Sequence, residues 1–418
     1  MADLPGHIGM PLFGDCSTEF YKDMMHFINK HTVKHKSTIF SARFLNTPTV
    51  FITSHAGVKE LLNDHHDKIE LGYKAFMHHL YGDNIIFTNG SQADSLRTIL
   101  TSILTSEESK QHYQDVMKRI TEKHLSTLEQ SQPIAVYKFF KRVATEICLC
   151  LFLDMNLHQS EELSSQITTL TTAHWHGIVS VPVNLKLGPS KSTYRKALEA
   201  KAELLTIIHS KLSDRCTLFS ETNEDGEFFN TQEAAGHLLL FISALIPKAL
   251  ASLLTSFILA TADSPDFQQS LAFDLETLQN TYHEVQRMWP PLVGGRRLAK
   301  QDFDLCGYHI PAGHAIVYLT HHAQRDPGVF TDPDVFKPDR WKNSQYDDDD
   351  LFAVGNGPRD CIGRHLVQDM VKMIMQKLSA QFAWQLENPE KHSIQYKWLP
   401  VLRPKDEAMI TFKVREHQ

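Results

Sequence analysis

The residues of this chain best suited to chemistry form a short loop that ends at a cysteine. The loop reads Val354-Gly355-Asn356-Gly357-Pro358-Arg359-Asp360-Cys361-Ile362-Gly363. Gly355 and Gly357 allow a tight turn with positive φ, and Gly363 lets the backbone approach a flat ligand. Backbone N–H groups in such a turn can point at the Cys361 sulfur and hold it as a thiolate. A thiolate held in this way suits the axial position on haem iron, so Cys361 is the predicted metal ligand. The alternative is a buried structural cysteine beside an ordinary turn.

Two earlier motifs could fix this loop in place through buried charges. Glu284 and Arg287 are three residues apart and therefore share one face of a helix. The turn Phe336-Lys337-Pro338-Asp339-Arg340-Trp341 offers Arg340 as a second cation for Glu284. Because an unpaired buried charge is costly, we expect Glu284, Arg287 and Arg340 to form a structural lock ahead of the cysteine loop.

The order of these motifs, followed by a C-terminal helix, resembles the cytochrome P450 superfamily. The resemblance implies a mainly α fold with small β-sheets and haem b (iron protoporphyrin IX) as the cofactor. It also implies one haem domain over residues 1–418. Within that domain we expect a β-richer part at residues 1–70, and the helical core and haem site at residues 71–418.

The resemblance also assigns the residues that hold the haem. Positively charged side chains suit the propionates, because these need cationic donors. Arg97, Arg297 and Arg359 stand at such positions, and a structural salt bridge is the competing role for Arg97 and Arg359. The expected cofactor-binding set is completed by Val354, Gly355, Cys361 and Gly363.

Two positions near the haem depart from the family pattern. Val354 stands where the family usually has phenylalanine, seven residues before the cysteine. The smaller side chain should shield the sulfur less and could shift the iron potential. Ala93 replaces the tryptophan of the helix that carries Arg97. Haem binding should survive the change at Val354.

The central apolar helix lacks the acid-alcohol pair that relays protons in oxygen-activating members. Leu245 and Ile246 stand at those positions, and Pro247 removes a backbone N–H and should kink the helix. These three residues are assigned to the catalytic region. A similar proline occurs in sterol 7α-hydroxylases, prostacyclin synthases and fatty-acid peroxygenases. Ile246 replaces the arginine that anchors the substrate carboxylate in the peroxygenases, and Lys248, about 200° further around the helix, is expected to be a poor substitute.

Apolar residues at the expected distal pocket predict a lipophilic substrate such as a steroid, fatty acid, oxylipin or terpenoid. Short segments at residues 5–12 and 182–198 resemble the sterol- and retinoid-hydroxylating branch. The expected pocket residues are Phe76, Met77, Ile242, Ala244, Leu245, Ile246, Leu292, Val293 and Val401.

Composition and periodicity limit the remaining possibilities. A net charge of −7 argues against nucleic acid as a partner, and six cysteines without disulfide-scaffold or zinc spacing fit a reducing compartment. Alternation predicts a strand at residues 49–53 and hairpins at 302–317 and 398–414, whereas residues 139–153 and 194–212 have helical periodicity. The Pro/Gly-rich opening resembles the hinge after a membrane anchor. The protein is expected to be cytoplasmic if naturally soluble and membrane-associated if an anchor was removed.

The predicted function is oxidation of a hydrophobic small molecule by a P450-type monooxygenase, acting as a monomer. Electrons would come from a separate reductase or ferredoxin, for which a basic face around Arg364, Lys372 and Lys377 would be suitable. The main alternative is a peroxide-dependent peroxygenase, or an enzyme that rearranges hydroperoxides or endoperoxides, with no need for a reductase. A haem sensor or carrier without turnover is a more remote alternative.

Overall fold

The computed structural model describes residues 3–128, 132–155, 161–180, 184–187, 190–213, 222–223, 226–227, 231–342, 345–387 and 394–416. The helices are α1 (Ser17–Lys22), α2 (Met24–His35), α3 (His55–Asn63), α4 (Lys74–Tyr81), α5 (Gly90–Thr105), α6 (Glu107–Ser126), α7 (Val136–Leu153), α8 (Glu161–His176), α9 (Thr193–Ser213), α10 (Thr231–Ser243), α11 (Leu245–Ala260), α12 (Pro265–Phe273), α13 (Leu275–Met288), α14 (Thr320–Ala323) and α15 (Arg364–Gln381). The predicted mainly α class is confirmed.

The strands are short and form small sheets. They are β1 (Ile39–Phe44), β2 (Thr47–Ile52), β3 (Ile69–Leu71), β4 (Ile134–Ala135), β5 (Lys186–Leu187), β6 (Ser190–Lys191), β7 (Thr222–Asn223), β8 (Gly226–Glu227), β9 (Gly295–Ala299), β10 (Phe303–Leu305), β11 (Tyr308–Ile310), β12 (Ala315–Tyr318), β13 (Phe382–Leu386), β14 (Tyr396–Lys397), β15 (Arg403–Pro404) and β16 (Met409–Val414).

The chain divides into two compact units, each built from two segments. The sheet unit comprises residues 1–73 and 283–361, and the helical unit comprises residues 74–282 and 362–418. The β-rich part therefore includes a second segment in addition to the expected N-terminal one. The organisation of residues 1–418 as a single haem domain stays a prediction.

The sheet unit is organised around a five-stranded sheet in the order β1-β2-β12-β9-β3. The β1–β2 turn places Leu45 and Asn46 at φ of 51° and 55°, the two consecutive positive values that a two-residue hairpin turn requires. Strand β12 runs parallel to β2 and antiparallel to β9. Apolar residues of these strands pack with Val58 and Leu61 of α3 and with Phe352, which lies just before the cysteine loop.

The helical unit is organised around α7 and α11, which pack against each other. Helix α8 packs on α9, and α12 packs on α15. The stretch Thr231–Ala260 is long and apolar enough to cross a membrane, but 88% of its most apolar window is buried. Because buried core helices share these properties, this is weak evidence for a membrane span.

Candidate haem-thiolate site

The cysteine loop of the sheet unit is closed by its own backbone hydrogen bonds. The Cys361 amide donates to the Val354 carbonyl at 2.8 Å, and the Gly355 amide donates to the Phe352 carbonyl at 3.0 Å. Gly355 and Gly357 have φ of 74° and 68°, so the expected positive values are confirmed. The loop presents Cys361 as an exposed residue at its end.

Gly357 is fixed by its surroundings as well as by its backbone conformation. A Cβ atom at this position would lie 2.4 Å from the Leu62 carbonyl oxygen at the end of α3. Next to it, the Asn356 side chain donates to the Asp349 carbonyl at 3.0 Å and accepts from the Gly357 amide at 2.7 Å. The loop is therefore held against α3 and against the chain that leads into it.

The predicted lock forms within the sheet unit. Both Glu284 and Arg287 are 0% exposed. The Arg287 Nε and Nη2 atoms donate to the two carboxylate oxygens of Glu284, each at 2.9 Å. Arg340 Nε donates to Glu284 Oε1 at 3.0 Å. The remaining guanidinium hydrogens donate to backbone carbonyls, among them those of Gln324 and Thr331.

Two further donors to Glu284 were not predicted from the sequence. Trp341 Nε1 donates to Oε2 at 3.0 Å, and the Lys337 amide donates to Oε1 at 2.8 Å. Burial raises the pKa of Glu284, but the Arg287 hydrogen bonds and the charges of Arg287 and Arg340 outweigh it, so that the net pKa is lowered. The carboxylate is therefore ionised and fully hydrogen-bonded. The turn that supplies Trp341 is visible in the sequence, and an indole N–H next to Arg340 is the signal that could have suggested this contact.

Arg297 lies on β9 of the sheet unit with its side chain nearly buried. Its guanidinium carbon lies 5.3 Å from the centre of the Tyr318 ring, and Nη1 donates to the Arg296 carbonyl at 3.2 Å. Within the described part of the chain, no carboxylate lies within salt-bridge distance of this guanidinium. A buried cation of this kind needs an anionic partner.

The central helix of the helical unit is broken at Ala244. Ala244 has φ −102° and ψ −96° and separates α10 from α11. The break lies three residues before Pro247, because the proline ring clashes with the carbonyl four residues earlier, that of Ser243, and cannot donate to it. The expected disruption by Pro247 is confirmed, and it takes the form of a break rather than a kink.

A buried polar network spans the end of α10 and was not predicted. His174 on α8 lies 2.8 Å from Ser243 Oγ through Nδ1 and 2.8 Å from the Leu80 carbonyl through Nε2. Ser243 Oγ in turn donates to the Leu239 carbonyl at 2.7 Å. Burial lowers the pKa of His174 to about 4, so the imidazole is neutral at physiological pH. Its Nε2–H then donates to the Leu80 carbonyl, which leaves Nδ1 unprotonated. The single hydroxyl hydrogen of Ser243 is therefore shared between Nδ1 and the Leu239 carbonyl.

Comparison with known proteins gives a consistent family. A family model described as Cytochrome P450 matches residues 4–232 and 258–412. The chain belongs to the cytochrome P450 family. It is 23% identical over 450 residues to Cytochrome P450 26B1 of Xenopus tropicalis, which covers 97% of this chain and 86% of that protein.

Two solved P450 structures share the fold over nearly the whole chain. The structure titled "Retinoic acid bound cyanobacterial CYP120A1" has a TM-score of 0.86 at 21% identity, covering 99% of both chains. The structure titled "Cytochrome P450EX alpha (CYP152N1) wild-type with myristic acid" has a TM-score of 0.79 at 19% identity, covering 99% of this chain and 100% of that one. At these identities the similarity establishes the P450 fold.

Members of the P450 family bind haem b, and the sheet unit has the donors for it. Cys361 is an exposed sulfur on a constrained loop, and Arg297 is a buried cation that lacks a carboxylate partner among the described residues. Arg359 ends the short 3-10 turn Gly357–Arg359, two residues before the cysteine. A thiolate together with two guanidinium groups matches the iron and the propionates of this cofactor.

The other P450 residues expected around the haem fall in both units. Val354, half-buried, and Gly355 lie in the loop, whereas Gly363 is the N-cap of α15 in the helical unit. Arg97 is half-buried on α5, one turn after the buried Ala93. Phe352, two residues before Val354, packs 4.9 Å from the His55 ring in the core of the sheet unit, so it does not replace the missing loop phenylalanine.

The expected pocket residues are also divided between the units. Leu292 and Val293 belong to the sheet unit. Helix α4 contacts α10, and β15 contacts α11, within the helical unit. The side chain of Leu245 lies outside the described residues, and Ile246 is half-buried. The other expected pocket residues of the helical unit are Phe76, Met77, Ile242, Ala244 and Val401.

Proposed function

We propose that this P450 oxidises a lipophilic small molecule at a haem held by Cys361. The observation that carries the proposal is the closed loop from Val354 to Cys361, which presents one exposed sulfur from a rigid turn. When bound, haem with a thiolate ligand supplies the capacity to oxidise unactivated carbon. The leading form of the proposal is a monomeric monooxygenase fed by a separate reductase or ferredoxin.

Each haem-binding residue has a distinct part in this proposal. Arg297, Arg359 and Arg97 are the residues that would neutralise the haem propionates. The Glu284 lock keeps the segment that leads into the loop rigid. Val354, smaller than the usual phenylalanine, leaves the sulfur less shielded and so tunes the iron potential. Buried apolar residues such as Met77, Ile242 and Val401 would select a lipophilic substrate.

A second reaction class, oxidation driven by peroxide, is favoured by the central helix. The region that the family model leaves unmatched, residues 233–257, contains the break at Ala244 and the sequence Leu245-Ile246-Pro247. None of these three residues can donate or accept a proton through its side chain. A peroxide substrate already contains the reduced oxygen pair, so it removes the need for a reductase.

The axial-ligand assignment is tested first. Ferrous protein with carbon monoxide should show the absorption band typical of thiolate ligation, and Cys361→Ser should lose it. Cys306→Ser is the matched control, because Cys306 is also an exposed cysteine of the sheet unit and its thiol donates to Glu60 at 3.1 Å. Loss of the band in the control, or its survival in Cys361→Ser, would show that Cys361 is not the ligand.

The reaction class is tested with the same protein and two oxidant systems. Ferric protein without reductant is mixed with hydrogen peroxide and lipophilic acids, and separately with lipid hydroperoxides, and the products are analysed. Dioxygen with a generic ferredoxin and its reductase forms the parallel arm. Turnover only in the second arm supports the monooxygenase, and rapid turnover in the first arm supports the peroxide-driven class. A protein that turns over in neither arm is a haem sensor or carrier.

A further inference from the structure

One buried lysine of the helical unit has no partner for its charge among the residues that the structure describes. Lys248 is 2% exposed, and its Nζ atom has no hydrogen-bond partner among the described residues. It lies in the first turn of α11, one residue after Pro247. An ammonium group buried without a counter-charge is strongly unfavourable. A folded protein keeps such a group where a ligand or a proton equilibrium compensates for it.

The groups around Lys248 are cationic or neutral. Helix α7 packs on α11 and contributes Cys148 and Lys141, and the charge of Lys141 lowers the pKa of Lys248 after the larger effect of burial. Burial raises the pKa of the Cys148 thiol to about 12, so this neighbour is uncharged. Hairpin strand β15 contacts α11 and contributes Arg403, which lowers the pKa of Lys141 after the larger effect of burial. Within the described chain, no carboxylate offsets this positive charge at Lys248.

The positive charge extends from the interior to the surface of the helical unit. Lys248 is buried, Lys141 and Arg403 are half-buried, and His176 at the end of α8 is exposed. Partial desolvation and then the charges of Arg403, Lys141, Lys397 and Lys248 lower the pKa of His176. We call Lys141, Lys248 and Arg403 the cationic cluster.

The cationic cluster adjoins the expected substrate pocket. Arg403 Nη1 donates to the carbonyl of Val401 at 3.4 Å, and Val401 is one of the buried apolar residues expected to line that pocket. Lys248 lies on the same helix turn as Ile246, about 200° further around the helix axis, where the charge of Lys141 on the packed helix α7 acts on it. Apolar surface and unpaired cations next to each other suit a ligand with a hydrocarbon body and an anionic end.

We propose that the cationic cluster binds the carboxylate of a lipophilic acid, with Lys248 as its buried anchor. The proposal deepens the proposed function and rests on it only for the lipophilic body of the ligand. The ammonium of Lys248 donates to the carboxylate, and the half-buried guanidinium of Arg403 and the amine of Lys141 complete its neutralisation. The acid anchor thus lies one residue beyond Pro247, contrary to the expectation that Lys248 is a poor carboxylate anchor.

Binding of an acid should take up a proton near neutral pH. Burial, then the charge of Lys141, lowers the pKa of Lys248 to about 7. A bound carboxylate favours the ammonium form and raises that pKa, so affinity for the acid should fall as the pH rises above about 7. Of the described residues on α10 and α15, which also contact α11, none contributes a charge that shifts the Lys248 pKa. The titratable groups that interact electrostatically with Lys248 are Lys141 and Cys148 on α7 and His174 and His176 on α8, and Arg403 on β15 acts on Lys141.

The test is calorimetric titration of the haem-loaded protein with two matched ligand pairs. The pairs are dodecanoic acid with its methyl ester, and retinoic acid with its methyl ester. At pH 6.5 each acid should bind ~10- to 100-fold more tightly than its ester, because the charge-assisted hydrogen bonds are lost in the ester. At pH 8.5 the preference should shrink for the acids while ester affinity stays constant. Titration at pH 7.5 in buffers of different ionisation enthalpy should show proton uptake with the acid alone.

Variants separate the charge from the packing of the helix. Lys248→Met should bind acid and ester alike and show no proton uptake. Ser252→Ala is the matched control, because Ser252 is buried one turn further along α11 and also has no described hydrogen-bond partner, yet carries no charge. Its acid preference should equal that of the unchanged protein. Arg403→Met, at the half-buried rim, should reduce the preference by a smaller factor than Lys248→Met.

Several results would overturn the anion site. These are equal binding of acid and ester, an acid preference that persists in Lys248→Met, and the absence of binding by either pair. Oxidation of the esters without any preference for binding the acids would refute the anion site and leave the proposed function intact. Preferential binding of the acids, without oxidation by either peroxide or dioxygen with a reductase, would support the anion site and refute the proposed function.

Discussion

The Glu284 lock and the first turns of α11 both bury charge, but they differ in how that charge is compensated. Glu284 accepts five hydrogen bonds, from Arg287 twice and from Arg340, Trp341 and the Lys337 amide. In α11, polar atoms of Lys248, Ser252 and Thr255 are buried without a described hydrogen-bond partner. These three residues are spaced by four and then three positions, which places them on one face of the helix.

The difference fits the proposal that the lock is a structural scaffold and that α11 contributes to ligand binding. A fully satisfied network rigidifies its surroundings, whereas unsatisfied buried groups reduce stability and remain available for another partner. The family model agrees with this division, since it matches the residues of the lock and leaves 233–257 unmatched. We infer that the structural lock is common P450 architecture, and that the central helix carries the specificity of this chain.

The largest effect is expected from breaking the satisfied region. Arg340→Met should lower the free energy of unfolding by about 3–5 kcal/mol, because it removes one partner from a buried ion network. Urea denaturation followed by circular dichroism measures the loss. Lys342→Met is the control: Lys342 forms an exposed ion pair with Asp339 at 2.9 Å, and such pairs contribute about 0–1 kcal/mol. Similar losses in both variants would mean that the lock is no more than a surface contact.

In α11, by contrast, removing the buried charge of Lys248 should raise the free energy of unfolding. The pKa of Lys248 is lowered from 10.5 to about 7, so the unfolded chain binds more protons between these values, and stability should rise with pH across that window. The gain attributable to this residue is up to about 4 kcal/mol by linkage. It is measured as the difference between the unchanged protein and Lys248→Met from pH 7 to pH 10. Lys248→Met should be the more stable of the two at pH 7, and parallel pH profiles would contradict the unpaired charge.

Local spacing predicted the cysteine loop and the Glu284–Arg287–Arg340 contact, because turn glycines and an i, i+3 pair are visible within a few residues. Periodicity likewise predicted α7 and α9 to within three residues at either end. The prediction of a hairpin at residues 398–414 was wrong. Strand β14 pairs with β15, and β16 pairs with β13 and β4 instead. Alternation identifies strands but not their partners, which depend on distant segments.

The contacts of the central helix could not be predicted from spacing. His174 and Ser243 are 69 residues apart in sequence, and Lys248 meets Lys141 and Cys148 only because α7 packs on α11. Helical geometry alone gives the direction of Lys248 relative to Ile246, but not which neighbours lie there. The break at Ala244 is an intermediate case. Pro247 predicted a disruption, and its position follows from the carbonyl four residues earlier.

A titration of His174 should sharpen the comparison at acidic pH. Its pKa is lowered by burial from 6.5 to about 4, so the unfolded chain binds more protons in this window, and stability should fall as the pH decreases from 6.5 to 4. The contribution is up to about 3 kcal/mol. His174→Gln keeps a donor for the Leu80 carbonyl and should abolish this part of the acid sensitivity in urea titrations. Unchanged sensitivity would place the titrating group elsewhere.

Trp341→Phe should have the smallest effect, because it removes one donor and keeps the ring. Glu284 Oε2 then retains only its bond from Arg287 Nε, and the loss of one hydrogen bond to a buried charge costs about 1.5–3 kcal/mol. The ring of Trp341 contacts that of Tyr346, with 5.8 Å between centroids. Tyr346→Phe is the matched control, because it keeps this packing and removes two hydrogen bonds of the hydroxyl, to the Val329 carbonyl and from the Gln345 side chain. A greater loss for Trp341→Phe than for Tyr346→Phe in urea denaturation would show that the lock depends on every donor around the carboxylate. Equal losses would show that Arg287 and Arg340 alone stabilise the Glu284 carboxylate. The difference between the lock and α11 would then depend on these two arginines and not on the full set of donors.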